Sequence, residues 1–255
     1  MTLPRFYCPV DISIGQIIEL PASIAHHAAR VLRLEPGSEL ILFNGHGGEF
    51  RSVIAHFGRN SATAVIEKHL AIERESRLSI TLAQAICASE KMDWLVQKAV
   101  ELGVNRIQPL ATKLSVVRLS AERGEKRLSH LRKVVISACE QCGRNRVPDV
   151  RAPVPLLEWL GHGIGYVQNQ AGEEARNSCF MLSPAANEGL RYYSGTPAKT
   201  AITLLVGPEG GFARDEEEAA LAAGFIPLRL GPRILRTESA ALAAVAAMQA
   251  LWGDY

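Results

Sequence analysis

The feature that most constrains this chain lies near its end. Between Thr203 and Leu251 one design occurs twice in succession: an apolar run, a glycine-containing loop and a helix. In the first unit Leu204, Leu205 and Val206 lead into Gly207-Pro208-Glu209-Gly210-Gly211, and Asp215 with Glu218 three residues on predicts a capping-box helix start. Gly224 closes that helix. In the second unit Phe225–Leu230 predicts a strand, Gly231-Pro232-Arg233 a turn, and Thr237 the cap of an Ala-rich helix. If the strands are parallel neighbours, both loops lie beyond their carboxyl ends, where open α/β sheets bind ligands.

A glycine-rich turn into a helix is usually a phosphate cradle, because backbone N–H groups approach the anion closely. The P-loop pattern, however, requires Lys and Ser or Thr after the last glycine, whereas this loop carries Glu209 and is followed by Asp215, Glu216, Glu217 and Glu218. Such carboxylates repel a triphosphate and suit a ligand with hydroxyls and a positive centre. A nucleotide-dependent enzyme is therefore disfavoured.

The run LLVGPEGGF, followed by LGPRILRTESA, resembles the signature of the RsmE family, SPOUT-superfamily methyltransferases acting on N3 of a uridine in 16S rRNA. The usual Thr-Glu-Thr-Ala is here Thr237-Glu238-Ser239-Ala240, which keeps the hydroxyl. Three further stretches carry the resemblance. Pro4-Arg5-Phe6-Tyr7 and His26–Leu34 resemble the family's PUA-like domain. Gln97–Val104 resembles its QKATELGV motif with Val100 for Thr, and Glu140–Pro148 resembles its EQ-x-x-R-x-x-VP stretch. The resemblance implies an α/β fold: a SPOUT-type parallel sheet with a C-terminal trefoil knot, preceded by a small β-rich PUA-like domain. It implies S-adenosylmethionine as cofactor, held by Leu182, Ser183, Val206, Gly207, Glu209, Gly210, Leu230, Gly231, Ile234, Leu235, Arg236, Thr237 and Ala240. RNA contacts fall to Arg5, Arg30, Arg33, Lys133, Arg144 and Arg146, with Arg5 and the two loop arginines expected to be exposed and free to bind phosphate or stack on bases.

At 255 residues and 47% hydrophobic, the chain has room for two domains, and the charged, turn-rich stretch Glu73–Arg77 divides it into 1–75 and 76–255. In the first, Ile12–Leu20, Glu39–Phe43, Glu49–Phe57 and Ala62–His69 predict strands, with a short helix after Pro21. In the second, Leu78–Ile86, Arg106–Leu110 and Cys179–Leu182 predict strands. Helices are expected from about Ser89, over Glu125–Cys142 and over Leu156–Leu160, and Asn169–Ser178 predicts a loop. Gly161–Gly165 has the wrong spacing for a dinucleotide fingerprint. The start of the chain lacks a basic, apolar signal segment, so a cytoplasmic protein is expected. Cys139 and Cys142 lie on a helical pattern without a second pair or a nearby His, and adjacent His26 and His27 point apart on a helix; no metal is expected.

The net charge of +2 conceals a local excess. Residues 113–151 hold ten Lys or Arg against four acids, while residues 200–255 hold four bases against seven. A basic segment near a neutral or acidic ligand site predicts a polyanionic partner, 16S rRNA or the small ribosomal subunit. Methyl transfer to uracil N3 needs help in removing a weakly acidic proton; Arg144, Glu209 and Arg236 are candidate catalytic groups, and the base is open among Glu101, Glu140, Glu209 and Glu238. The alternatives are a SPOUT enzyme acting on another RNA nucleotide and a non-catalytic ribosome assembly factor. The Ala-rich last helix, apolar all round with Gln249 as its only polar side chain after Ser239, predicts a homodimer with Trp252 at the packed surface.

Overall fold

The computed structural model describes residues 3–115, 121–162, 166–168, 174–196 and 199–255. Arg118, residues 163–165 of the glycine-rich stretch, and residues 169–173 of the expected polar loop lie outside them. The chain forms two compact units, Met1–Glu75 with Cys139–Val147, and Ser76–Ala138 with Pro148–Tyr255.

In the first unit, β1 (Arg5–Tyr7), β2 (Ile17–Leu20), α1 (Ala22–His26), β3 (Glu39–Phe43), β4 (Glu49–Phe57) and β5 (Ala62–Leu70) follow in order. The sheet runs β1-β3-β4-β5-β2, antiparallel except for β1 beside β3. Only the last four residues of the expected Ile12–Leu20 strand pair, because Gly15 turns the chain at φ 82° just before them. Side chains alternating along β3 to β5 meet Phe6, Ile18 and Ile24 in one core. Helix α1 continues into a π-helical turn over His27–Val31.

Two expected RNA contacts are corrected here. Arg144 is 4% exposed, its guanidinium donating to both carboxylate oxygens of Glu75. Arg5 donates to Glu49 and, at 2.6 Å, to Asn145 Oδ1, and its guanidinium lies 5.2 Å from the centre of the Phe43 ring. Burying a guanidinium without a carboxylate partner would cost several kcal/mol, so these two arginines are internal ties of the unit rather than exposed phosphate contacts. They fasten residues 139–147 to the β-rich sheet.

The second unit contains β6 (Ser79–Ala85), α2 (Ser89–Glu101), β7 (Arg106–Ala111), α3 (Ala121–Cys142), β8 (Asp149–Val150), β9 (Val154–Pro155) and α4 (Leu156–Gly161). The last turn of α3 groups with the first unit. Then come β10 (Tyr166–Gln168), β11 (Glu174–Arg176), β12 (Ser178–Leu182), β13 (Ala201–Val206), α5 (Arg214–Ala222), β14 (Ile226–Leu228) and α6 (Thr237–Trp252). The sheet runs β14-β12-β13-β6-β7-β8, with β9 also on β7, and every pairing is parallel. Part of the expected polar loop is strand, since β11 pairs antiparallel with β10. Strands buried on both faces read as continuous apolar runs, which is why all six residues of β13 are buried.

Helix α6 packs on α2 and against β13 and β6. Its one polar residue after Ser239, Gln249, is 1% exposed; it accepts from Ser76 Oγ at 2.8 Å and donates to the Leu102 carbonyl at 3.0 Å. Trp252 corrects the expectation of an intersubunit surface: it is 8% exposed and stacks on Phe180 within its own unit, the ring planes 10° apart. Among the described residues, no helix is long and apolar enough to cross a membrane.

Candidate functional site

The carboxyl ends of β12, β13 and β14 open onto one cavity of about 490 Å³. Parallel register brings them together: Leu182 pairs with Leu228, and Met181 with Leu205, one residue before Val206. The walls are the segments after each strand, namely 183–185, 207–212 and 229–237. Apolar side chains Leu182, Val206, Phe212, Leu228, Leu230, Ile234 and Leu235 line it. Ile234 stands 86% exposed, so this branched apolar side chain is uncovered in the single chain.

The β13–α5 loop is held from both sides. Gly211, at φ 72°, completes a turn in which its N–H donates to the Pro208 carbonyl. The expected cap pair, Asp215 with Glu218, is replaced by Ala213 and Glu216: buried Glu216 accepts from the Ala213 N–H at 3.0 Å and from the Lys113 N–H at 2.8 Å. Asp215 is instead paired with Lys113 Nζ at 2.5 Å. Thr237 is likewise not a cap. It opens α6 and its hydroxyl donates to the Gly207 carbonyl at 2.6 Å while accepting from Gln84 Nε2 at 2.9 Å. That hydroxyl ties the start of α6 to the first glycine loop and to β6.

Of the expected cofactor residues, Leu182, Ser183, Val206, Gly207, Glu209, Leu230, Gly231, Ile234, Leu235, Arg236, Thr237 and Ala240 line the cavity. Gly210 does not. A Cβ there would meet Leu114 Cβ at 3.3 Å, so the absent side chain makes room for the turn after β7 rather than for a ligand. Of the candidate catalytic groups, Glu209 and Arg236 are on the wall and Arg144 is not. Arg30, Arg33 and Lys133 are exposed, while Arg146 is half exposed and pairs with Glu73 at 2.9 Å.

The four carboxylates considered as bases separate clearly. Glu101 is paired with Lys98, and Glu140 accepts the Tyr7 N–H while burial pushes its pKa up. Glu238 is buried, and its Oε2 has no hydrogen-bond partner among the described residues. Only Glu209 lines the cavity. A hydrogen bond from Lys91 Nζ at 2.9 Å holds the Glu209 carboxyl below the usual carboxylate range. Lys91, on α2 and 118 positions away, has no local sequence signal that would link it to the loop. Glu217, one of the carboxylates noted after the glycine loop, lines the wall, as do Phe212, Arg229 and Arg233, which were not among the expected cofactor residues.

Glu209 and Glu217 come from the β13–α5 segment, and Arg229, Arg233 and Arg236 from the segment after β14. A wall with carboxylates from one side of the sequence, guanidiniums from the other and an apolar surface between fits a zwitterion carrying a flat apolar group. S-adenosylmethionine, with its sulfonium, ammonium, carboxylate and adenine, has that chemistry.

Comparison with known proteins gives the same direction. Residues 74–249 match the RNA methyltransferase domain family and residues 20–67 the RNA methyltransferase PUA domain family. Ribosomal RNA small subunit methyltransferase E of Buchnera aphidicola is 36% identical over 253 residues, 99% of this chain and 98% of its own. A putative methyltransferase from Legionella pneumophila, solved with bound S-adenosylmethionine, is 37% identical with a TM-score of 0.91, covering 100% of both chains. Ribosomal RNA small subunit methyltransferase E from Neisseria gonorrhoeae, also solved with S-adenosylmethionine, is 40% identical with a TM-score of 0.88, again over 100% of each chain. Matched across both units and along nearly its whole length, the chain belongs to the ribosomal RNA small subunit methyltransferase E family.

Proposed function

We propose that this protein transfers a methyl group from S-adenosylmethionine to N3 of a specific uridine in 16S rRNA. The observation that carries the reading is the cavity at the ends of three parallel strands, walled by the glycine loops and by groups of both charges. When bound, S-adenosylmethionine supplies a methyl group already activated on a sulfonium. The protein's own task is then to align the acceptor, exclude water and manage one proton. Uracil N3 is on the Watson–Crick edge, so the target base must be unpaired or extruded.

A carboxylate held below its usual pKa is a weak proton acceptor and a good fixed negative charge. Glu209 is therefore assigned to binding the positive end of the cofactor, and Arg236 to offsetting the negative charge that develops on the uracil oxygens as N3 loses its proton. Leu182, Ser183, Val206, Gly207, Leu230, Gly231, Ile234, Leu235, Thr237 and Ala240 form the remaining cofactor wall. We also propose the trefoil knot: α6 leaves the edge strand β14 yet packs beneath β13 and β6, toward the middle of the sheet. A homodimer is supported by the apolar residues of α6 that stay exposed, Ala243, Ala250 and Leu251, next to a helix side already covered. The site of action is the cytoplasm, where the small subunit is assembled.

Nucleoside mass spectrometry of 16S rRNA from a strain lacking this protein tests the reading. Loss of 3-methyluridine, restored by the wild-type gene and not by Arg236→Ala, is expected; an unchanged nucleoside profile refutes it.

A further inference from the structure

The start of α6 holds a carboxyl group that lacks a donor. Glu238 is 9% exposed, and its Oε2 has no hydrogen-bond partner among the described residues. A buried carboxylate left partly unpartnered is uncommon and destabilising, so its presence calls for a state in which a donor arrives. The positive end of α6 offsets part of the charge, since Glu238 lies in the first turn. Arg236, two positions upstream and on the cavity wall, leaves the gap unfilled. We propose that Lys91 is the missing donor: it rests on Glu209 in this structure and passes to Glu238 when the cationic end of S-adenosylmethionine takes its place on Glu209.

The fold brings the three groups to one place. The Thr237 hydroxyl donates to the Gly207 carbonyl at 2.6 Å, which sets Glu238, the next residue, beside the loop that carries Glu209 just past Gly207. Strand register brings the start of α2 to the same edge of the sheet: Val206 pairs with Gln84, and Lys91 lies in the first turn of the helix that follows β6. Electrostatics agrees with this placement. The hydrogen bond to Glu209 raises the Lys91 pKa most, and the charge of Glu238 adds to it. Burial, then the charges of Glu209 and Glu238, push the Cys87 thiol up to about 11. Both carboxylates therefore act on the same two groups.

The exchange asks little of the structure. The side chains of Lys91 and Glu209 are 34% and 33% exposed, and ion pairs in contact with water are weak and readily replaced. Lysine carries a compact charge on a flexible four-carbon stem, so Nζ can change carboxylates while α2 stays in place. Glu209 lines the cavity and Glu238 does not, so Lys91 yields the first carboxylate to the ligand and takes the second. Lys91 is thus a positioning residue. It keeps Glu209 ionised and oriented before the cofactor binds, and it neutralises Glu238 afterwards.

This inference rests on the assignment of Glu209 to the positive end of the cofactor, and calorimetric titration of the full-length protein with S-adenosylmethionine tests the two separately. Glu209→Gln should weaken binding; an unchanged affinity would refute that assignment and the exchange with it. Lys91→Met removes the internal competitor and should tighten binding about two- to threefold, a change opposite in sign to general damage to the site. Glu238→Gln leaves Lys91 without its second partner and should weaken binding about two- to threefold. In a double-mutant cycle the Glu238→Gln effect should vanish once Lys91 is replaced by Met. Weaker or unchanged binding in Lys91→Met would overturn the exchange. So would an equal effect of Glu238→Gln in both backgrounds, because Glu238 would then act without Lys91. The cycle reads binding alone, so the predicted coupling in a protein that forms no 3-methyluridine would refute the proposed methylation and leave the exchange standing.

Discussion

Thr237→Val is the most informative single perturbation of the cavity, because it keeps the side-chain shape and deletes only the hydroxyl that joins three elements. Thr237 is 5% exposed and Gln84 fully buried, so water cannot replace the lost partners. Two hydrogen bonds disappear, Gln84 Nε2 to Thr237 Oγ1 and Thr237 Oγ1 to the Gly207 carbonyl. Gln84 Nε2 keeps its bond to the Ala85 carbonyl, so its stranding is partial. At about 1 kcal/mol for each net bond and about 1 more for the Gly207 carbonyl left without this donor, the loss comes to ~3 kcal/mol. For a unit of this size that lowers Tm by about 6–12 °C. The three tryptophans, Trp94, Trp159 and Trp252, all belong to the second unit, so intrinsic fluorescence in a urea titration reports on this unit alone. Thr237→Ser, which retains the hydroxyl, should recover most of the loss. S-adenosylmethionine affinity should fall about tenfold in the Val variant, since the Gly207 loop loses its tie to α6. A Val variant whose urea midpoint and slope match wild type would refute the claim that this hydroxyl organises the cavity.

Acid should loosen the first unit through Glu49. Burial raises its pKa, but hydrogen bonds from Arg5 and Arg74 more than offset this and hold it below the usual carboxylate range. The stability it contributes is therefore present above the unfolded pKa of about 4.3 and lost as pH falls through the lower folded value. Glu49→Gln should cost about 3–5 kcal/mol at neutral pH by stranding Arg5, and should flatten the acid limb of a circular-dichroism stability profile; an unchanged profile counts against the pairing. Gly210→Val should strain the contact with Leu114 and lower the urea midpoint, with S-adenosylmethionine affinity falling less than in Thr237→Val. The reverse order of affinities would return Gly210 to the cavity wall. Ala243→Arg, on the exposed side of α6, should convert a dimer into monomers in sedimentation without lowering Tm; a wild-type protein that is monomeric and fully active at micromolar concentration would exclude the dimer.

Where one local pattern decides the structure, the sequence is a reliable guide. Glu39–Phe43 and Glu49–Phe57 form strands with the expected bounds because short apolar runs and the intervening Asn-Gly and Gly-Gly turns act within a few residues. Gly103 and Gly224, both at positive φ, end α2 and α5 for the same reason. Local patterns that admit two solutions are settled elsewhere. Asp215 with Glu218 and Ala213 with Glu216 both have helix-start spacing, and the second prevails because the Glu216 carboxylate also receives the Lys113 N–H, more than a hundred residues upstream. Gly210 looked like a ligand glycine by its neighbours, and only the fold shows that Leu114 fills the adjoining space.

Charge shows most plainly why the sites were less legible than the strands. Counted along the chain, residues 113–151 carry a large basic excess, but electrostatic recognition depends on unpaired charge in space. Lys113, Arg127, Arg144 and Arg146 are paired with Asp215, Asp93, Glu75 and Glu73, all of which lie outside that window. Their field is largely cancelled where they stand. Arg30 and Arg59 lie in stretches with no such excess, yet the fold brings them to one cleft of the first unit, where neither has a carboxylate partner among the described residues. Which charges stay uncompensated is therefore decided by the pairing that the fold imposes, and a window count of residue types cannot reveal it.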